Sequence, residues 1–102
     1  MQVSTTDALR YEPNGSVVLR RIGEDVLLVP VSGPAAGGGG RVYPLNATAE
    51  AIWERLEAGR SIPEIARDLT MRYDVPEADA RRDVDACVQT LLAEGLLRRH
   101  ES

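Results

Sequence analysis

The chain has 102 residues and a formal net charge of −4, and all twelve of its basic residues are arginine. This length is typical of a single domain, and the excess of acidic over basic residues makes the chain a poor partner for the phosphate backbone of a nucleic acid. A single cysteine excludes an intrachain disulfide, and one cysteine with one histidine far from it in sequence excludes a zinc site. The N-terminus lacks the layout of a secretion signal, and no apolar run is long enough to span a membrane, so we expect a cytoplasmic protein.

The first third of the chain predicts a polar arm followed by a β-hairpin. Residues 1–15 are polar and end in the turn signal Pro-Asn-Gly, so we expect them to form a flexible N-terminal arm. The next stretch, SVVLRRIGEDVLLVPV, is rich in Val, Leu and Ile on both sides of a polar break, which predicts two strands over 16–22 and 25–31. Pro30 falls late in the second strand, where a missing N–H group is best tolerated.

A glycine-rich connector, 32–40, leads from the hairpin into the short apolar stretch RVYPL. The connector has no lysine and does not open a helix, so it does not fit a phosphate-binding loop. RVYPL predicts a short third strand over 41–45 that is interrupted by Pro44. We expect Pro44 to face the second strand, because Arg41 and Tyr43 would then share the backbone edge that stays open.

From residue 46 onward the spacing of apolar residues becomes helical. Asn46 is a typical N-cap, and Ser61 followed by Glu64 is the pattern of a capping box. Pro76 suits the first turn of a last helix. The predicted helices are 47–58, 62–73 and 76–94.

Three helices after a three-stranded antiparallel sheet predict an α+β domain of the winged helix-turn-helix type. We expect this single domain to span 16–97 and to be followed by a C-terminal tail, 98–102.

The sequence contains no set of side chains that is typical of catalysis. Cys87 lies on the apolar stripe of the third helix, where cysteine behaves as a small hydrophobic core residue. Asp79 and Asp83 lie on a different side of that helix from Asp85, so these carboxylates are expected to be solvated rather than to bind a cation. We therefore expect no enzyme activity, no cofactor and no metal.

Two alternative functions remain at this point. The third helix could be a DNA-recognition helix through Arg81 and Arg82, but four carboxylates lie within the same two turns and would repel phosphate. Alternatively, two copies of the third strand could pair and make the chain a structural homodimer.

The second half of the chain resembles the coenzyme PQQ synthesis protein D (PqqD) family. The stretches that carry the resemblance are YPLNATAEAIWERL, SIPEIARDLTMRYDV and ARRDVDACVQTLLAEGLL, which together cover roughly residues 41–97. The hairpin, 16–31, resembles the family more loosely. The residues of the shared pattern are Tyr43, Leu45, Asn46, Ile52, Trp53, Ile62, Glu64, Ile65, Leu69, Tyr73, Asp83, Val84, Gly95, Leu96 and Leu97.

This resemblance implies a peptide-recognition element for ribosomally made, post-translationally modified peptides. Such a module is not an enzyme; it holds the leader of a precursor peptide and presents the peptide to a modifying enzyme, often a radical SAM protein. The resemblance also implies that the leader adds as a strand to the third strand, beside the third helix. The expected partners are thus a precursor peptide and a modifying enzyme, with no nucleic acid and no membrane, and we expect a monomer or a weak homodimer.

The expected peptide site combines the third strand with the third helix. On the helix, Arg81 and Asp85 are expected to flank a groove whose floor is formed by two valines. The predicted peptide-binding residues are Arg41, Val42, Tyr43, Pro44, Arg81, Val84, Asp85 and Val88.

Overall fold

The computed structural model describes residues 10–33, 36 and 41–100, and in this part the chain is an α+β fold of three helices and two small antiparallel sheets. The glycine run of the connector and most of the predicted N-terminal arm lie outside the described residues. In chain order the elements are β1 (Tyr11–Pro13), β2 (Val17–Ile22), β3 (Asp25–Pro30), β4 (Tyr43–Leu45), α1 (Ala47–Glu57), α2 (Ile62–Tyr73), α3 (Glu77–Ala93) and β5 (Leu97–Arg99).

Strands β2, β3 and β4 form the larger sheet, in that order. The two predicted hairpin strands and the short third strand are all present, each within two residues of its expected limits. Their inner face meets the helices: Val17 and Leu28 are buried, and Leu19 packs against the same core. Alternation along the strands places Val18 and Ile22 on the other face, where both are exposed.

The second sheet, which pairs β1 with β5, was not predicted from the sequence. Tyr11 lies opposite Arg99 and Pro13 opposite Leu97, and the backbone N–H of Asn14 donates to the carbonyl of Leu96 over 3.0 Å. The sheet joins part of the stretch expected as an arm to the end of the domain, and Tyr11 packs against the core. The domain limits 16–97 stay a prediction, but the two-stranded sheet uses residues on both sides of them.

The caps predicted for the first two helices are present. The Asn46 side chain accepts a hydrogen bond from the Ala49 N–H over 2.8 Å. In the capping box of α2, the Ser61 N–H donates to Glu64 Oε1 over 2.8 Å while the Glu64 N–H donates to Ser61 Oγ over 3.4 Å. These bonds satisfy N–H groups that have no partner inside a helix, and so they fix where β4 ends and where α2 begins.

The core lies between the inner face of the larger sheet and the three helices. Trp53 of α1 is its largest side chain and is fully buried. The remaining buried side chains are aliphatic, with Ser61 as the one buried polar residue of the described part. The buried hydrophobic residues are Val17, Leu28, Ala51, Ile52, Trp53, Leu56, Ile62, Ile65, Ala66, Leu69, Ala80, Val84, Val88, Leu91, Leu96 and Leu97.

Candidate functional site: a groove between the edge strand and the third helix

Strand β4 is an edge strand of the larger sheet, because β3 pairs with it on one side and no described strand pairs with it on the other. Its register with β3 pairs Tyr43 with Leu28, Pro44 with Leu27 and Leu45 with Val26. An open edge of this kind can accept the backbone of an added strand. What it can accept depends on which backbone groups face outward.

The hairpin fixes the direction of the backbone groups along β3. Ile22 and Asp25 are partners across a two-residue turn, so they form a hydrogen-bonded pair and Asp25 points its N–H and C=O toward β2. Six residues further on, the Val31 N–H donates to the Ser16 carbonyl over 2.7 Å, which is the same orientation. Because the orientation alternates along a strand, the odd-numbered residues of β3 face β2 and the even-numbered residues face β4.

It follows that Pro44 faces the open edge, which corrects the expected orientation. Leu28 and Val26 face β4 and pair with Tyr43 and Leu45, so these two residues direct their backbone groups inward to β3. Pro44, between them, turns its nitrogen and its carbonyl outward. The expectation that Pro44 faces the neighbouring strand was wrong because sequence alone gave no register between the two strands.

A groove of about 500 Å³ lies between β4, the start of α1 and one face of α3. Its floor is apolar, since it includes Ile52, Leu91 and Leu96 from the buried core together with the partly buried Cys87. We call this feature the β4–α3 groove. Its lining residues are Tyr43, Pro44, Leu45, Asn46, Thr48, Ala49, Ile52, Asp83, Ala86, Cys87, Thr90, Leu91, Glu94 and Leu96.

The two ends of the β4–α3 groove differ in charge. At one end, Arg41 Nη2 lies 3.6 Å from Glu94 Oε1, and the Arg41 guanidinium stands 5.3 Å from the centre of the Tyr43 ring. This places the residues just before β4 beside the C-terminal end of α3. Asp83 also lines the groove, eleven residues earlier on α3, which is roughly 16 Å along the helix axis. Asp83 has no ion-pair partner among residues 10–33, 36 and 41–100, so its charge is uncompensated there.

The structure brings two of the predicted strand residues, Tyr43 and Pro44, into the lining of the groove, but none of the predicted helix residues. Tyr43 and Pro44 line it, Arg41 lies at one end, and Val42 is 45% exposed just before β4. We expect Val42 to share the outward orientation of Pro44, since it lies two residues before it.

The residues predicted on α3 lie elsewhere. Val84 and Val88 are core residues with exposures of 0% and 2%, and they do not line the groove. Arg81 and Asp85 pair with each other over 3.4 Å and lie about 160° and 200° around the helix from Asp83, at about 100° per residue. These four residues therefore do not form the floor or the rim of the β4–α3 groove, and a role for them in peptide binding stays a prediction.

Sequence reasoning missed the side of α3 that does line the groove. Asp83, Cys87, Thr90 and Glu94 follow one another at spacings of four, three and four residues, which is a single helical stripe. That stripe is visible in the sequence, but only the placement of α3 across the groove from β4 shows which edge of its apolar face lies toward the strand.

Cys87 supplies the one thiol among the residues that line the groove, and its environment keeps it protonated. Burial raises the pKa of the Cys87 thiol from 9.0 to about 11. A reactive cysteine requires the opposite, a pKa lowered by a nearby cation or helix N-terminus. The structure thus agrees with the prediction that Cys87 is a packing residue.

The described part of the chain offers no metal centre and no membrane span. Within residues 10–33, 36 and 41–100, no three His, Cys, Asp or Glu side chains are grouped closely enough to hold a metal ion. Among the helices of that same part, none is long and apolar enough to cross a membrane.

Comparisons with known proteins show the family and the fold of the chain. The family model for coenzyme PQQ synthesis protein D (PqqD) matches residues 24–97. A solved structure described as lasso peptide synthetase B1 complexed with the leader peptide is 28% identical to the chain with a TM-score of 0.73, and the alignment covers 87% of this chain and 98% of that one. A second structure, TbiB1 in complex with the TbiA(beta) leader peptide, is 24% identical with a TM-score of 0.72 over 89% of this chain and 99% of that one, and it shows the shared fold. No curated protein matches the chain.

Proposed function

Because the chain belongs to the coenzyme PQQ synthesis protein D family, we propose that it is a non-catalytic module that captures the leader segment of a ribosomally synthesised precursor peptide and presents the peptide to a modifying enzyme. The observation that carries this proposal is the open edge of β4 running beside the apolar β4–α3 groove. The similar lasso peptide synthetase B1 structure, which holds a leader peptide, supports it.

In this proposal the leader adds to the larger sheet as an extended strand next to β4. The strand draws affinity from main-chain hydrogen bonds and selectivity from side-chain contacts. The carbonyl of Pro44 and both backbone groups of Val42 are the groups we expect it to use, while the nitrogen of Pro44 has no hydrogen to donate. The backbone contribution at this edge is small, so contacts within the groove have to supply much of the affinity.

The β4–α3 groove suits the side chains of such a strand. Alternate residues of an added strand point to the same side, so one set would enter the groove and the other set would face solvent. The apolar floor of Ile52, Cys87 and Leu91 favours an apolar side chain from the peptide. At about 25 cal/mol per Å², burial of a Leu-sized side chain would contribute roughly 2 kcal/mol.

The further expectations for this module belong to the same proposal. We propose that it works in the cytoplasm without a cofactor of its own, as a monomer or weak homodimer with a winged helix-turn-helix-like arrangement. Its partner would be a separate peptide-modifying enzyme such as a radical SAM protein. Catalysis would then lie entirely with that partner.

The alternative of DNA recognition by α3 finds no support in the described contacts. Arg81 pairs with Asp85 over 3.4 Å, and Arg82 pairs with Asp79 over 3.2 Å. Both arginines are thus neutralised by acidic side chains of the same helix, and Asp83 adds a further negative charge. A phosphate backbone would meet net repulsion from this helix as a whole.

A pair of tryptophan substitutions on α3 tests the proposed site. Thr90 lines the groove and is exposed, so Thr90→Trp should fill the groove and weaken binding of the leader of a co-encoded precursor by at least about tenfold, or roughly 1.4 kcal/mol. Gln89, the residue directly before Thr90 on the same helix, is exposed and does not line the groove. Gln89→Trp is therefore the matched control and should bind the leader normally. Fluorescence anisotropy of a labelled leader peptide measures both, and equal affinity of the two variants would contradict the proposed site.

A further inference from the structure

The charge pattern of the β4–α3 groove indicates which peptides it selects. We propose that the groove recognises an extended segment in which an apolar side chain and a basic side chain are two residues apart, with the basic side chain placed at Asp83. This inference rests on the proposed function, because it specifies the peptide that the same groove takes.

The two carboxylates that line the groove, Asp83 and Glu94, differ in their electrostatic surroundings. Glu94 already has a cation beside it, since Arg41 Nη2 lies 3.6 Å from Glu94 Oε1. Asp83 has no such neighbour in the part of the chain that the structure describes. A ligand cation therefore gains more at Asp83 than at Glu94, where it would have to compete with Arg41.

Asp83 lies next to the apolar floor of the groove. Cys87 lies one helical turn after Asp83 on the same side of α3, and residues four apart on a helix are about 6 Å apart. Leu91 continues the floor one turn further. Asp83 therefore stands at one end of the apolar floor, about one turn beyond its Cys87 end.

The spacing of side chains along an extended peptide suits this arrangement. Residues two apart on an extended chain point to the same side and are about 7 Å apart, which for a strand that runs along the axis of α3 matches the distance from the Cys87 level of the floor to Asp83. When one peptide side chain rests on the apolar floor, the next one on that side reaches Asp83. The order of the apolar and the basic residue in the peptide then reports the direction in which the strand runs along β4.

Charge on the other side of α3 does not provide a similar site. Asp85 is already paired with Arg81 over 3.4 Å, and it points away from the groove. It lies on the same helix and carries the same charge as Asp83, so Asp85→Asn is a matched control for Asp83→Asn. Both positions are exposed, so neither substitution should disturb the core.

The test is a selection of short random peptides, displayed on phage, with the full chain as bait. The proposal expects enrichment of peptides with Lys or Arg two residues from Leu, Ile, Val, Met or an aromatic residue. The Asp83→Asn bait should lose the basic preference and keep the apolar one, whereas the Asp85→Asn bait should select as the wild type does.

The affinity of one selected peptide then quantifies the contact. Asp83→Asn should weaken its binding by about two- to fivefold at low salt, which is the range of an exposed ion pair, and the difference should shrink as salt is added. Replacing the basic residue of the peptide by Gln should remove the difference in affinity between the wild-type protein and Asp83→Asn. Enrichment of apolar peptides without a basic residue would overturn this inference and leave the proposed function standing. Failure to enrich any peptide would count against both.

Discussion

Pro44 lies directly opposite Leu27 in the sheet, and the hairpin register makes this a pair that no hydrogen bond joins. The proline nitrogen therefore points to the open edge of β4 instead of interrupting the ladder with β3. A proline at this position costs the sheet nothing internally, and it removes one donor from an edge that would otherwise invite any extended chain. The arrangement limits what pairs with β4 while leaving the edge available to a strand that also fits the groove.

Restoring the missing donor should strengthen edge pairing. Pro44→Val supplies an outward N–H group, so we expect leader binding to tighten by about fivefold, the value of one net hydrogen bond of about 1 kcal/mol. The same variant should self-associate more, because two open edges can then pair fully. Fluorescence anisotropy measures the first effect and light scattering the second.

The complementary change is Val42→Pro, which removes the N–H group that we expect at the same edge. Val42 is exposed, so this variant should fold normally and bind the leader several-fold more weakly. If Pro44→Val weakened leader binding, or if Val42→Pro left it unchanged, this would contradict the conclusion that the backbone groups of Val42 and Pro44 face the open edge of β4.

Gly15 and Gly33 should tolerate substitution less well than the hairpin glycine. A Cβ on Gly15 would stand 2.5 Å from the Ser32 carbonyl oxygen, and one on Gly33 would stand 2.4 Å from the Asn14 carbonyl oxygen. Both residues also have a positive φ, of +88° and +94°, which is strained for any residue with a side chain. We expect Gly15→Ala to destabilise the protein by about 2 kcal/mol or more, measured by urea unfolding.

Gly23→Ala is the matched control for that backbone contact. Gly23 has a similar φ of +63°, but a Cβ there would meet nothing within 4 Å. Gly23→Ala should lower the free energy of unfolding by about 1 kcal/mol, because of the positive φ alone. Equal losses of unfolding free energy in Gly15→Ala and Gly23→Ala would show that the close backbone contact between Gly15 and Ser32 does not affect stability.

Stability should fall in acid in part because of the sheet formed by β1 and β5. Glu12 Oε1 lies 2.7 Å from His100 Nδ1, and Arg98 Nε donates to Glu12 Oε2 over 2.6 Å. Hydrogen bonds from His100 and then Arg98 lower the pKa of the Glu12 carboxyl below its usual 4.5. A carboxyl with a lowered folded-state pKa contributes stability above its unfolded value and loses it as the pH falls through the folded value.

The unfolding temperature should therefore drop as the pH falls below about 4.5, and Glu12→Gln should make this drop smaller. Glu24→Gln is the control, since Glu24 lies in the exposed hairpin turn. Scanning calorimetry of both variants between neutral and acidic pH gives the comparison. An unchanged pH dependence in Glu12→Gln would mean that this contact does not stabilise the pairing of β1 with β5.

The sequence predicted those parts of the fold that have local signals. The capping box of Ser61 and Glu64 and the N-cap of Asn46 each involve residues three apart, and the structure confirms both. The hairpin was predictable for the same reason, because its two strands flank a short polar turn. The family resemblance was carried by the same local patterns and is confirmed by the match over residues 24–97.

The parts that escaped prediction depend on contacts between distant residues. Strands β1 and β5 have three residues each and pair across most of the chain, so neither has a detectable period of its own. The orientation of Pro44 follows from a register that runs through two other strands. Whether Asp83 or Asp85 lies on the groove side of α3 depends on where that helix is placed relative to β4, which the helical period does not fix.

The most direct test of the account is a chemical-shift map of the isotope-labelled protein titrated with the leader of a co-encoded precursor peptide. If the leader adds to β4, the largest amide shifts fall at Val42, Tyr43 and Leu45 and on the groove side of α3 at Cys87 and Thr90. Amides of β1 and β5, which lie outside the groove, serve as the internal control. Shifts confined to the helices or to the control sheet, with residues 41–45 unmoved, would contradict strand addition at β4.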